Sequence, residues 1–136
     1  MPAGYSQRPL PEKLGIKAGS KILFLNAPKN YSVTLGELPA TVKVCKHLCA
    51  SLDFIQFFCR SQQELEHQFS TLKSSLAPNG SLWISWPKGA SKLKTDLSEN
   101  VVRNVGLKHA LVDVKVCAVD ETWSGLKFVF RLKDRK

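Results

Sequence analysis

Phe54-Ile55-Gln56-Phe57-Phe58-Cys59, the polar and apolar alternation from Ser61 to Leu76, and Leu82-Trp83-Ile84-Ser85-Trp86 form the stretch that decides the fold. The first run reads as a buried strand. Ser61 with Glu64 three residues later has the spacing of a capping box that opens a helix. Leu65, Phe69, Leu72 and Leu76 then recur at intervals of four, three and four, which places them on one helical face. That face must lie on a sheet. Pro78-Asn79-Gly80 reads as a turn, and Leu82 to Trp86 as the next strand, stopped by Pro87. A strand–helix–strand unit of this length predicts parallel pairing through a right-handed crossover.

Upstream, Lys21 to Leu25 reads as a first strand whose Ile22-Leu23-Phe24-Leu25 run is apolar on both faces, the pattern of a central strand covered by helices. A short helix is expected at Pro11 to Leu14 and another at Tyr31 to Leu35, ended by Gly36, with an edge strand at Thr41 to Cys45. Downstream, Asp96 with Glu99 repeats the capping spacing, and Leu97, Val101, Val102 and Val105 give the stripe of a second long helix ending near Gly106. In Leu111 to Val119, Val112, Val114, Val116 and Ala118 share one face, with Asp113 and Lys115 opposite. Leu126 to Leu132 alternates in the same way, and the short Asp120 to Gly125 connection makes this last pair an antiparallel hairpin. The expected fold is therefore α/β, three-layered and Rossmann-like, with a mostly parallel sheet of about six strands ending in an antiparallel hairpin. Residues 1–20 are expected to form an N-terminal arm, 21–133 a single domain and 134–136 a basic tail.

At 136 residues and 43% apolar content, the chain suits one domain with a single core. No apolar run approaches the roughly 20 residues that cross a bilayer, and Met1-Pro2-Ala3-Gly4-Tyr5-Ser6 lacks the stretch of a secretory signal, so a cytoplasmic location without membrane association is expected. Cys45, Cys49, Cys59 and Cys117 are too few and scattered for a disulfide framework. Cys45-Lys46-His47-Leu48-Cys49 gathers two thiols and an imidazole, but no second ligand pair with zinc-site spacing follows, so no metal is expected. The formal charge of +9 is dispersed, densest in Lys88 to Lys94 and Arg131 to Lys136, and reads first as a solvated face and basic tail. Nucleic-acid association through those two clusters is the competing reading.

The order of elements resembles a class I methyltransferase in shortened form, through Leu14 to Leu25, the Leu76-Ala77-Pro78-Asn79-Gly80 passage between helix and strand, and the terminal hairpin. The whole sequence is also similar to an uncharacterised bacterial family of small domains of unknown function. That resemblance rests on Leu23-Phe24-Leu25-Asn26-Ala27-Pro28, Trp86-Pro87-Lys88 and Val116-Cys117-Ala118-Val119-Asp120-Glu121-Thr122-Trp123-Ser124-Gly125-Leu126, and implies no activity. The methyltransferase resemblance implies an S-adenosylmethionine site, and here the sequence departs from the pattern. Asn26-Ala27-Pro28 replaces the glycine loop that lets a cofactor approach the strand end. Cys45-Lys46-His47 stands where an acid would hold a ribose, and Arg60-Ser61-Gln62 replaces the Asp-Pro-Pro-Tyr-like or Asn-Pro-Pro-Tyr-like catalytic segment. No cofactor and no catalytic residue are therefore assigned.

In an open parallel sheet, ligands enter beyond the C-terminal strand ends. That geometry gathers Asn26 after the first strand, Arg60 and Ser61 after the Phe54 strand, Trp86 and Lys88 after the next, and Asp120, Glu121 and Trp123 at the hairpin turn. These are the candidate ligand-binding residues. Arg60 and Lys88, with the N-termini of the Ser61 and Asp96 helices, favour a small anion or an acidic protein segment. Each has a plainer reading: Ser61 and Asp96 as helix caps, the indoles as core, and Arg60 and Lys88 as solvated charges or partners of Asp120 and Glu121. Because Asp120 and Glu121 are adjacent, an extended strand points them oppositely, which disfavours paired acid–base work. The expectation is a noncatalytic binding module, with a divergent transferase carrying a rebuilt cofactor site as the alternative.

Overall fold

A computed structural model of the chain describes residues 8–135. The strands are β1 (Lys21–Leu25), β2 (Lys43–Val44), β3 (Leu52–Phe58), β4 (Leu76–Pro87), β5 (Leu111–Ala118) and β6 (Trp123–Phe130), and the helices α1 (Leu10–Leu14), α2 (Tyr31–Leu35), α3 (Gln62–Ser74) and α4 (Glu99–Lys108). They build one mixed sheet in the order β2-β1-β3-β4-β6-β5. Pairs β1/β2, β1/β3 and β3/β4 are parallel, while β4/β6 and β5/β6 are antiparallel. The α/β sheet ending in an antiparallel pair is the architecture expected from the sequence. Met1 to Gln7 of the expected arm, and Lys136 of the expected tail, lie outside the described residues.

Alternation along the central strands divides the core into two layers. Leu82, Ile84 and Trp86 of β4 face Leu65, Phe69, Leu72, Val102 and Val105, the inner stripes of α3 and α4. Trp83 faces the other way, toward Leu14, Ile16, Tyr31, Leu35 and Trp123. The segment leading to β1 is thus fastened to the sheet, and the Trp83 indole N–H donates to the Leu14 carbonyl at 2.9 Å. That bond satisfies the one polar atom of a fully buried indole.

Several local readings need correction. Leu76 opens β4 instead of closing the α3 stripe, since α3 ends at Ser74 with Ser75 as its cap. Pro78-Asn79-Gly80 is carried within β4 as an irregularity in its pairing with β3, where the register moves from Leu52↔Leu76 to Phe54↔Ser81. The cap of α4 is Ser98, whose side chain accepts from the Val101 N–H, not Asp96. That helix runs past Gly106 to Lys108, and the left-handed residue after it is Ala110 at φ 67°. A bulge between Asp113 and Lys115 interrupts the alternation of β5, leaving Val114 and Val116 half exposed. Trp123 and Ser124 belong to β6, so the hairpin turn is shorter than expected.

Gly106 lies inside α4 because Phe128 of β6 packs directly on its backbone. A Cβ there would stand 2.0 Å from the Phe128 Cε1 atom. Alanine gains roughly 1 kcal/mol in helix propensity, yet overpacking a full core costs about 1–3 kcal/mol. So close an approach puts the cost at the upper end of that range, and Gly106→Ala is expected to lower the unfolding free energy by about 2 kcal/mol in urea titration, with Gly106→Ala/Phe128→Leu recovering part of the loss. A Gly106→Ala chain more stable than its parent contradicts this packing.

Candidate functional site at the strand ends

The chain leaves β1 toward β2 on one side and returns to β3 on the other, so the connections diverge between β1 and β3. Such a switch point opens a crevice at the C-terminal ends of parallel strands. Because β6 is antiparallel to β4, with Pro87 opposite Trp123, the start of β6 arrives at the same rim. Asn26, Arg60 and Trp123 line one cavity of about 340 Å³ there, together with Phe58, Cys59, Glu64 and Leu93.

The turn after β1 retains left-handed backbone without glycine. Asn26 has φ 58° and Asn30 φ 64°, a region asparagine tolerates better than most side chains. Between them, Pro28 removes one backbone N–H from the loop. The bare, donor-rich surface that a glycine loop offers is thereby reduced. A second cavity, about 400 Å³ and largely apolar, lies beside it between Phe24, Ala27, Pro28, Tyr31, Leu38 and Val44.

The loop from Lys88 to Ser98 closes over the start of α3. Arg60 donates from Nε to the Lys94 carbonyl at 3.3 Å, and the Thr95 hydroxyl donates to the Arg60 carbonyl at 2.7 Å. Asp96 reaches the beginning of α3, where its Oδ1 accepts the Gln62 N–H at 2.8 Å. Ser61 accepts the Glu64 N–H at 3.1 Å. The positive end of α3 is thus occupied by the chain's own carboxylate and hydroxyl. Of the two helix N-termini expected to attract an anion, this one is already filled, and Asp96 is the residue that fills it.

The remaining expected residues fall elsewhere. Trp86 is 5% exposed and packs in the α3/α4 layer, on the opposite side of the sheet from Trp123. Lys88 does not line the cavity, and its backbone N–H donates to the Thr122 carbonyl at 2.8 Å. Asp120 is used within its own turn, where Oδ1 accepts the Thr122 and Trp123 N–H groups at 2.8 Å each. Glu121 is exposed.

The structure adds Phe58, Cys59, Glu64 and Leu93 to the lining. The first two follow from the strand's end. Glu64 carried its own sequence signal, since the capping spacing places it within a turn of Ser61. Leu93 lies inside the Lys88 to Lys94 run, whose charge hides the apolar residue that joins the wall. Burial pushes the Cys59 thiol up to about 12, with Glu64 and Asp96 adding to the effect. At neutral pH it is a thiol, and a poor nucleophile. Cys45 and Cys49 have sulfurs 3.8 Å apart, and no group of three or more metal-ligating side chains occurs among the described residues.

No family model matches the chain, and no curated protein matches it. Solved structures do. An S-adenosylmethionine-dependent methyltransferase from Aquifex aeolicus superposes with TM-score 0.63 at 15% identity, covering 86% of this chain and 85% of that one. The DhpI–SAH complex gives 0.58 at 11% identity, covering 83% and 76%. The Methanococcus jannaschii fibrillarin pre-rRNA processing protein gives 0.59 at 12%, covering 98% and 72%. At these identities the likeness is one of fold. The chain is a small α/β domain of Rossmann-like, methyltransferase-like architecture. No helix among the described residues is long and apolar enough to cross a membrane.

If Asp96 caps α3, Asp96→Ala is expected to lower the unfolding free energy by about 1 kcal/mol. Sulfate should then stabilise the variant more than the parent, by occupying the vacated helix end. Equal stability and an equal sulfate response in thermal melts contradict the capping role.

Proposed function

We propose that the domain is a binding module which takes a small organic monoanion in the strand-end crevice. The observation that carries this reading is the convergence of Arg60, Asn26 and Trp123 on one cavity at the β1/β3 switch point. Among the described residues the Arg60 side chain makes one hydrogen bond, through Nε, so the other guanidinium N–H groups remain to meet a carboxylate. Phe58, Leu93 and Trp123 supply apolar surface for a flat ligand body. Glu64 on the same wall, with Asp96 beside it, opposes a second negative charge. Together these groups favour an aromatic or aliphatic monocarboxylate over a phosphorylated ligand at this position.

A divergent transferase is the second reading. It is favoured by the likeness in fold to a methyltransferase and to the DhpI–SAH complex, and by the left-handed turns kept at Asn26 and Asn30. Fold alone does not carry catalysis. Under this reading the apolar cavity beside α2 would take part of the cofactor.

Titration calorimetry with benzoate and indole-3-acetate tests the first reading. Arg60→Ala is expected to weaken binding at least about tenfold, while Lys88→Ala, outside the cavity lining, leaves it nearly unchanged. Equal affinity in the parent and Arg60→Ala removes the proposed site. Under the second reading, S-adenosylmethionine at a hundred times its dissociation constant would stabilise the fold by about 2.7 kcal/mol. No shift in melting temperature at high concentration demotes it.

A further inference from the structure

Away from the crevice, a basic cluster surrounds the end of α1. Lys115 of β5 and Lys127 of β6 are register partners in the antiparallel pair. Like charges placed directly opposite each other across two strands are destabilising. The end of α1 lies over this pair. Lys115 donates from Nζ to the Lys13 carbonyl at 2.9 Å, and Lys13 donates from Nζ to the Ala118 carbonyl at 3.3 Å. Lys127 reaches Gly15, where its Nζ would stand 3.3 Å from an added Cβ. Gly15 has φ 82°, and this left-handed turn lets α1 end directly over the ammonium group.

Lys17, in the same turn, is near enough to Lys127 to act on it electrostatically. Burial lowers the affinity of Lys127 for its proton, and Lys115 and Lys17 lower it further. Among the described residues no ion pair joins Lys17, Lys115 or Lys127 to a carboxylate. Glu12, the acid on α1, is held by Arg8 at 3.1 Å. Four lysines from three separate segments therefore meet on one face, and two of them are register partners across the strand pair.

We propose that this face is a phosphate-binding site, in which Lys13, Lys17, Lys115 and Lys127 enclose the phosphate group of a ligand. A multiply charged anion between Lys115 and Lys127 turns their repulsion into two charge-assisted contacts. The site is independent of the strand-end crevice. Lys127 lies four residues along β6 from Trp123, about 13 Å at the usual strand rise, and none of the four lysines lines the crevice. The phosphate can be presented by a small molecule or by a nucleic-acid backbone, and the chemistry at the lysines is the same.

Inorganic tripolyphosphate and a short oligothymidylate are the probes, tested by thermal melting and titration calorimetry on the full chain. Tripolyphosphate is expected to raise the melting temperature of the parent and to bind at least about tenfold more weakly to Lys115→Gln and to Lys127→Gln. Lys115→Arg should retain binding, as should the control Lys92→Gln/Lys94→Gln, which removes two positive charges elsewhere on the surface. If the oligothymidylate also binds, shows steep weakening with salt and loses affinity in the same two variants, the phosphate source is a nucleic acid. If only tripolyphosphate behaves so, the source is a small molecule. No stabilisation of the parent, equal binding by all variants, or loss confined to the Lys92/Lys94 control overturns the proposal. Because these substitutions leave Arg60 and the crevice intact, carboxylate binding there succeeds or fails separately.

Discussion

Gln56 sits in the middle of β3 with both faces of the strand covered, so its amide must find its partners inside the protein. It finds them on either side. Tyr31 donates from its hydroxyl to Gln56 Oε1 at 2.6 Å, and Gln56 donates from Nε2 to the Ser85 hydroxyl oxygen at 3.0 Å. This buried chain ties α2, β3 and β4 together, and leaving any member unpaired would cost roughly 1–3 kcal/mol. Burial raises the Tyr31 phenol above its ordinary range, so it remains a donor at any ordinary pH. The same Tyr31 ring packs edge-on against Phe24 and Phe58, and Phe58 against Trp123 at a centroid distance of 5.1 Å. A polar constraint in the centre of the sheet is thereby passed through aromatic contacts to the wall of the crevice. The loop after β1 is held from the other end, where Tyr31 begins α2 and its N–H donates to the Pro28 carbonyl.

Much of this architecture was legible in the residues. The run from Phe54 to Cys59, the α3 stripe of Leu65, Phe69 and Leu72, and the antiparallel close of the chain follow from periodicity, because burial on a sheet forces apolar spacing. What periodicity could not resolve was where one element yields to the next. Leu76 continues the helical spacing, yet its place opposite Leu52 puts it in β4. Nor could local spacing reveal contacts made across the fold. Asp96 fits a capping pattern with Glu99, but its carboxylate satisfies Gln62, 34 residues away, while Ser98 caps its own helix. The β5 alternation failed because one bulge reverses the faces beyond it.

The candidate site was legible in part, for the same reason. Strand direction gathers Asn26 and Arg60 at one rim, as parallel crossovers require, and the antiparallel β6 starts at the same rim with Trp123. Trp86 could have been separated from Trp123 by counting, since it shares its face of β4 with Leu82 and Ile84, which face the long helices. The use of Asp120 in its own turn is the ordinary behaviour of aspartate two and three residues before free N–H groups. Filling of the α3 terminus by Asp96 changes the electrostatics of the crevice from strongly anion-seeking to mixed. The excess positive charge is instead concentrated where sequence distance hid it, with Lys13, Lys17, Lys115 and Lys127 meeting only through tertiary packing.

The proposed carboxylate site lies at the β1/β3 switch point. The most direct measurement is a chemical-shift map of the isotopically labelled chain during titration with benzoate. Carboxylate binding at this rim is expected to give saturable changes that begin at the Asn26 and Arg60 backbone amides and the Trp123 indole. Changes centred on the lysine face around Gly15, or spread evenly over the surface without saturation, contradict it.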